Sequence, residues 1–120
     1  MANKHFQLFD GEDITTNPTS TQKISSNYAV AVQLVWSGLN GSASFSLGVS
    51  MDNVNFDDFP FVDVDGNRVI SIPIEGASGS ATIEIESIIS DWAKFTVDGS
   101  GASAGAITAN YLQIDNQDTY

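Results

Sequence analysis

Groups that attack, shuttle protons or hold a metal are scarce in this chain. It has no cysteine and a single histidine, His5. Nucleophilic catalysis needs a nucleophile, a base beside it and a third group to orient the base. Serines are plentiful, but they fall in turns or at Ser42, Ser44 and Ser46, alternate positions of one extended run. With only His5 to serve them, no hydrolytic triad is expected. No catalytic residue is assigned.

Carboxylates come next. Asp57-Asp58, Asp63-x-Asp65 and Glu84-x-Glu86 stand in pairs. Two carboxyls can divide acid and base work on a glycoside when burial lets one keep its proton. Residues two apart on a strand share a face, so Glu84 and Glu86 project together. They alternate with Ile83 and Ile85, which makes them the wet side of an amphipathic strand.

Calcium suits this acidity better than catalysis. Asp52, Asn53, Asn55, Asp57 and Asp58 lie in one loop, and Asp63, Asp65 and Asn67 in another; Ca²⁺ takes oxygen donors of this kind. Asp63-Val64-Asp65-Gly66-Asn67 departs from EF-hand spacing, with its glycine fourth instead of sixth and no glutamate at the twelfth position. Asx side chains also build turns with no metal present. Turn building is the expectation here, and no cofactor is assigned.

Trp36, Trp92 and the tyrosines offer a platform for sugar rings. In a chain this short, tryptophans more often anchor a core or an interface. Tyr111 and Tyr120, near the C-terminus, are candidates for contact with a partner subunit.

The elements that must position these residues are extended. From Tyr28, alternate residues Val30, Val32, Leu34 and Trp36 are apolar, with Ala29, Ala31, Gln33 and Val35 between them. After Ser37-Gly38-Leu39-Asn40-Gly41, the pattern resumes as Ala43, Phe45, Leu47 and Val49 against Ser42, Ser44, Ser46 and Gly48. Two runs joined by a short Gly/Asn loop predict an antiparallel hairpin, the first run buried on both faces and the second on one. Further strands are expected at Gln22–Ser26, Phe61–Val64, Val69–Glu75, Ala81–Ile89, Trp92–Asp98 and Ala106–Ile114. Asp65-Gly66 is the strongest hairpin signal. Ile70, Ile72 and Ile74 would share one face, and Pro73 marks an edge or bulge. Phe56 and Phe59 are placed to cap the core.

These spacings predict one all-β domain: an antiparallel two-sheet sandwich, jelly-roll-like, of about seven or eight strands. An N-terminal arm (1–20) docks through Phe6, Leu8 and Phe9 on its own sheet or on a neighbour. The sandwich spans 21–115, and 116–120 form a polar tail.

Fifteen acidic residues against four basic ones leave a net charge of −11, with Arg68 the only arginine. No patch able to neutralise a phosphate backbone can be assembled from four cations, so direct nucleic-acid contact is not expected. No apolar run approaches the roughly 20 residues of a membrane helix. No hydrophobic segment follows Met1–His5, so no secretion signal is expected.

The order of features resembles a known group. Val32-Gln33-Leu34-Val35-Trp36-Ser37-Gly38 leads to Gly41-Ser42-Ala43-Ser44-Phe45-Ser46-Leu47, then Ser50-Met51-Asp52-Asn53-Val54-Asn55-Phe56, then Ala93-Lys94-Phe95-Thr96-Val97-Asp98-Gly99-Ser100-Gly101-Ala102-Ser103. Over 22–114 this is similar to the small β-sandwich virion proteins of bacteriophages. It departs from them in Asn53, where glycine is usual, Phe56, where tryptophan is common, and Lys94, where an arginine often sits. The resemblance implies a capsid decoration, vertex or penton, or spike-type structural protein, made in the host cytoplasm and carried in the virion. It implies a homo-oligomer, trimer or pentamer, bound to other capsid proteins, without catalysis. The alternative is a carbohydrate-binding module or receptor-binding adhesin.

Overall fold

The computed structural model describes residues 4–23, 28–85 and 90–115. They form eleven strands: β1 (Lys4–Asp13), β2 (Thr19–Lys23), β3 (Tyr28–Gly41), β4 (Ala43–Ser50), β5 (Asp57–Asp58), β6 (Phe61–Val62), β7 (Arg68–Val69), β8 (Ser71–Ile74), β9 (Gly79–Ile85), β10 (Trp92–Asp98) and β11 (Ala102–Asp115). The one helical element among them is a 3-10 turn at Ile14–Thr16. The all-β, two-layer expectation holds. The extra strands over the expected seven or eight are short: β5, β6 and β7 have two residues each.

One sheet runs β1-β11-β3-β9-β6-β7 and the other β2-β10-β4-β5, with β8 also pairing β4. Every pairing is antiparallel. Only the connections β4 to β5 and β6 to β7 stay within a sheet; the rest cross between layers. That crossing overturns the expected hairpin. β3 pairs β11 and β9, while β4 pairs β10, β5 and β8.

Ser37–Gly41, expected as a loop, instead continue β3 along the irregular stretch of β11 (Ala106↔Ser37, Ala104↔Asn40, Ala102↔Gly41), and Ser42 alone carries the chain in an arch across to β4 in the other layer. An apolar face on each of two consecutive strands satisfies a hairpin and an arch equally. The choice falls to backbone bonds made where β3 ends and at Ser42, and here Leu39 donates to Ala77 O (3.0 Å) and Ser42 to Gly101 O (3.2 Å). β3 is also buried on one face only: Val32 and Leu34 are fully enclosed, while Gln33 and Val35 are exposed.

Other expectations shift for the same reason. Residues 4–13 dock on their own sheet, as the edge strand β1 beside β11. β11 absorbs the Gly/Ala stretch expected as a connection, with register shifts between Ala102 and Ala106. The chain changes sheets between β7 and β8, which leaves Ile70 exposed while Ile72 and Ile74 are buried. Pro73 lies on an edge strand opposite Ser44, where its missing N–H costs no ladder bond. The Asp65-Gly66 hairpin forms between β6 and β7. Helix is the competing reading of the sequence over 87–92; residues 87–89 lie outside the described residues, and Trp92 opens β10.

Between the layers, a line of rings stitches one sheet to the other. Phe6 stacks on Tyr111 at 4.5 Å, Tyr111 meets Phe95 edge-on at 5.9 Å, Phe95 lies 6.3 Å from Phe45, and Phe45 meets Phe61 edge-on at 6.1 Å. Such pairs add roughly 0.5–1.5 kcal/mol each beyond their buried area. At the end nearest the arch, the crossing from β1 to β2 locks onto that from β10 to β11. Asn17, in the left-handed region at φ 53°, accepts from Gly99 N–H through Oδ1 at 2.8 Å. Gly99 lies so close to Ile14 that a Cβ there would fall inside the Ile14 carbonyl.

Candidate functional site

The structure separates most of the residues that the sequence offered for chemistry. His5 is exposed on β1, beside Leu112 of β11. Ser44 and Ser46 face outward from β4, as expected of the strand's polar side. Glu84 is exposed on β9, and its expected partner Glu86 lies outside the described residues.

The acidic loop after β4 is built around one carboxylate. Asp52 Oδ1 accepts from Ser50 Oγ (2.7 Å) and from the backbone N–H groups of Val54 and Asn55 (2.9 Å each); Oδ2 accepts from Asn55 Nδ2 (2.9 Å). Those donors, the Asn55 N–H first, hold the Asp52 carboxyl far below the usual carboxylate range. Ser50 Oγ in turn accepts from Asn53 N–H, and Asn53 sits at φ 61°. This explains why asparagine stands in a position where glycine is usual: it is the side-chain type that best tolerates the left-handed region. In the second loop, Asp63 Oδ1 accepts from Asp65 and Asn67 N–H at 2.9 Å. Among the described residues, no three His, Cys, Asp or Glu side chains gather as a metal site. Beside the first loop lies an open depression of about 460 Å³ lined by Val49, Met51, Asp57 and Ser90.

Trp36 is no sugar platform. Its ring is buried, and its indole N–H donates to Gly76 O at 3.3 Å. Tyr111 is likewise enclosed in its own core, its hydroxyl donating to the buried Gln113 Oε1 at 2.7 Å; burial pushes that phenol well above its ordinary pKa. It cannot serve a partner subunit. Tyr120 lies outside the described residues.

What remains exposed is two sheet surfaces. On the five-stranded layer, Trp92, Lys94 and Thr96 of β10 face outward, with Lys23 and Thr21 of β2 beside them. The Lys23 ammonium sits 5.7 Å over the Trp92 ring, and that of Lys94 5.5 Å over Phe56. Phe56 reaches the sheet because Gly48 offers no side chain: a Cβ there would stand 3.3 Å from Phe56 Cβ. Two departures from the virion-protein pattern, Phe56 and Lys94, are thus one contact. Phe59, the other expected cap, packs against the core.

On the six-stranded layer, the cross-strand rows run His5–Leu112–Ala31–Glu84, Gln7–Asn110–Gln33–Thr82 and Thr108–Val35–Ser80. His5, Ala31, Gln33, Thr82, Asn110 and Leu112 line a shallow depression of about 290 Å³. None of Gln33, Asn110 or Thr82 was singled out from the sequence as a functional residue. The available signal was β3 itself, fourteen residues without a charge.

No protein-family model matches the chain, and no curated protein sequence matches it. Its structure is similar to that of the SPBc2 prophage-derived protein YomS, with a TM-score of 0.68 at 10% sequence identity, over 96% of each chain. Weaker likenesses are to a Bacillus endospore appendage protein (TM-score 0.49, 15% identity, 98% of this chain and 93% of that one) and to Eiger TNF from S. frugiperda (TM-score 0.49, 9% identity, 98% of each). A carbohydrate-binding module from Cellvibrio mixtus lichenase 5A reaches a TM-score of 0.33 at 12% identity, over 94% of this chain and 75% of that one. The chain shares the two-layer fold of that prophage-derived protein over 96% of its length.

Proposed function

We propose that this chain is a non-enzymatic structural subunit of a phage or prophage-encoded particle, held there by contacts of its exposed sheets with other virion proteins and with copies of itself. The observation that carries the reading is the fold likeness to a prophage-derived protein over 96% of both chains. The site geometry agrees with it: the carboxylates of Asp52 and Asp63 are engaged by turn N–H groups, and Trp36 and Tyr111 are enclosed. The subunit is made in the cytoplasm of the host and released with the particle. Particles from an induced lysate, purified through a density gradient and analysed by mass spectrometry, test it. The chain co-purifies in fixed ratio with the major shell protein; its confinement to the soluble lysate would refute the role.

A second reading, a glycan-binding adhesin, has one observation in its favour. Trp92 stays half-exposed on the outer five-stranded face. Glycan-array binding that disappears in a folded Trp92→Ala variant would establish it.

A further inference from the structure

We infer that the outer face of the six-stranded sheet is the self-association surface of this chain, and that its occupant is a second copy related by a two-fold axis. The inference rests on the structural-subunit reading and adds to it the partner and the face.

The argument starts from charge. With a net charge of −11, two copies repel wherever acidic surfaces come within a Debye length, about 8–10 Å. The described acidic residues sit mainly on rims and loops: Asp10, Glu12 and Asp13 at the bulged end of β1, and Asp52 to Asp65 across the β4–β7 loops. Three adjacent strands, β11, β3 and β9, carry only Asp115 and Glu84. Depletion of charge, more than excess of apolar area, is what marks the centre of a protein–protein interface. Val35, 40% exposed at mid-strand, is the kind of side chain that such a contact covers.

The pattern across the face is also complementary to itself. Take an axis parallel to the strands, between β11 and β3. It lays His5 of one copy over Glu84 of the other, Leu112 over Ala31, Asn110 over Gln33, Thr108 over Val35 and Gln7 over Thr82. Large meets small in the first row, and Glu84, the one outward acid among the described residues of β11, β3 and β9, meets the imidazole of His5. Amides and hydroxyls both donate and accept, so the middle row can bond to its own image. A closed two-fold contact requires this reciprocity of residue and partner. A phosphate-bearing partner finds no cationic cluster here.

Sedimentation velocity of the purified full chain, up to about 100 μM, tests the inference. The wild type forms a dimer. Gln33→Glu, which sets like charges against each other at the centre, weakens it by at least about tenfold, while Thr96→Glu on the opposite layer leaves it unchanged. Glu84→Lys weakens it and His5→Glu restores it in the double variant. A wild-type monomer, a trimer or pentamer, equal loss in both glutamate variants, or no rescue would overturn the inference. A dimer that is absent from particles would leave the inference standing and remove the virion role. A monomer found in particles would do the reverse.

Discussion

The two outer sheet faces cover one core and yet differ in kind. On the five-stranded layer, two of the chain's four basic side chains lie over aromatic rings, Lys23 on Trp92 and Lys94 on Phe56. That surface has its own covering. On the six-stranded layer, the middle rows are amide, hydroxyl and aliphatic, with Val35 left 40% exposed. A strongly acidic chain that keeps charge off the middle rows of one face and lays two lysines over rings on the other gives its two outer surfaces different chemistry, and the proposed contact uses the first. Charge segregation separates them more clearly than hydropathy does.

Substitutions can break or sharpen that contrast, and the largest effect should come from the core that both faces share. Phe45→Ala removes a ring that touches Phe95 and Phe61 and should cost about 3–5 kcal/mol. Chemical denaturation should show it as a lower midpoint with an unchanged slope. Beneath the six-stranded face, Tyr111→Phe leaves the buried Gln113 Oε1 without its donor. A loss of about 1–3 kcal/mol follows, read as a lower melting temperature with no change in strand content.

On the five-stranded face, Lys94→Ala uncovers Phe56, and a cation over a ring at an exposed site is worth about 0.5–1 kcal/mol. The same alanine should leave association through the other layer untouched. The smallest effect is best read as a difference between two pH values. Asp52's folded pKa is depressed by the donors around its carboxylate. Its stabilisation is therefore complete above the ordinary carboxylate pKa, about 4, and is lost as acid drives pH down toward the folded value. Asp52→Asn should destabilise at pH 7 and differ progressively less from wild type below pH about 4, by parallel thermal melts.

Much of this was legible in the residues. Strict alternation in Ile83-Glu84-Ile85 and Ala93-Lys94-Phe95-Thr96-Val97 reports which side chains face the core, because strand geometry imposes a period of two. The Asp65-Gly66 turn declared itself through glycine at φ 83°. The layer in which a strand lies is a different kind of fact. Ala43-Ser44-Phe45 reads identically as a hairpin return beside β3 or as an arch facing it, and the decision rests on Leu39 bonding to Ala77, across 38 positions of sequence. Side-chain roles were hidden for the same reason. Trp36 and Trp92 are the same residue type in similar strands, and only the partner layer buries one and leaves the other half-exposed. The bare face was hidden differently. It is visible in β3 as an absence of charge, and absence attracts less notice than a motif.

The most direct test of the contrast uses a soluble paramagnetic agent and methyl NMR on the full chain, diluted and concentrated. Relaxation of the Ala31, Val35 and Leu112 methyls should fall as the concentration rises, while that of Thr21 and Thr96 stays constant. Shielding that appears at Thr21 and Thr96, or at neither set, would contradict the account.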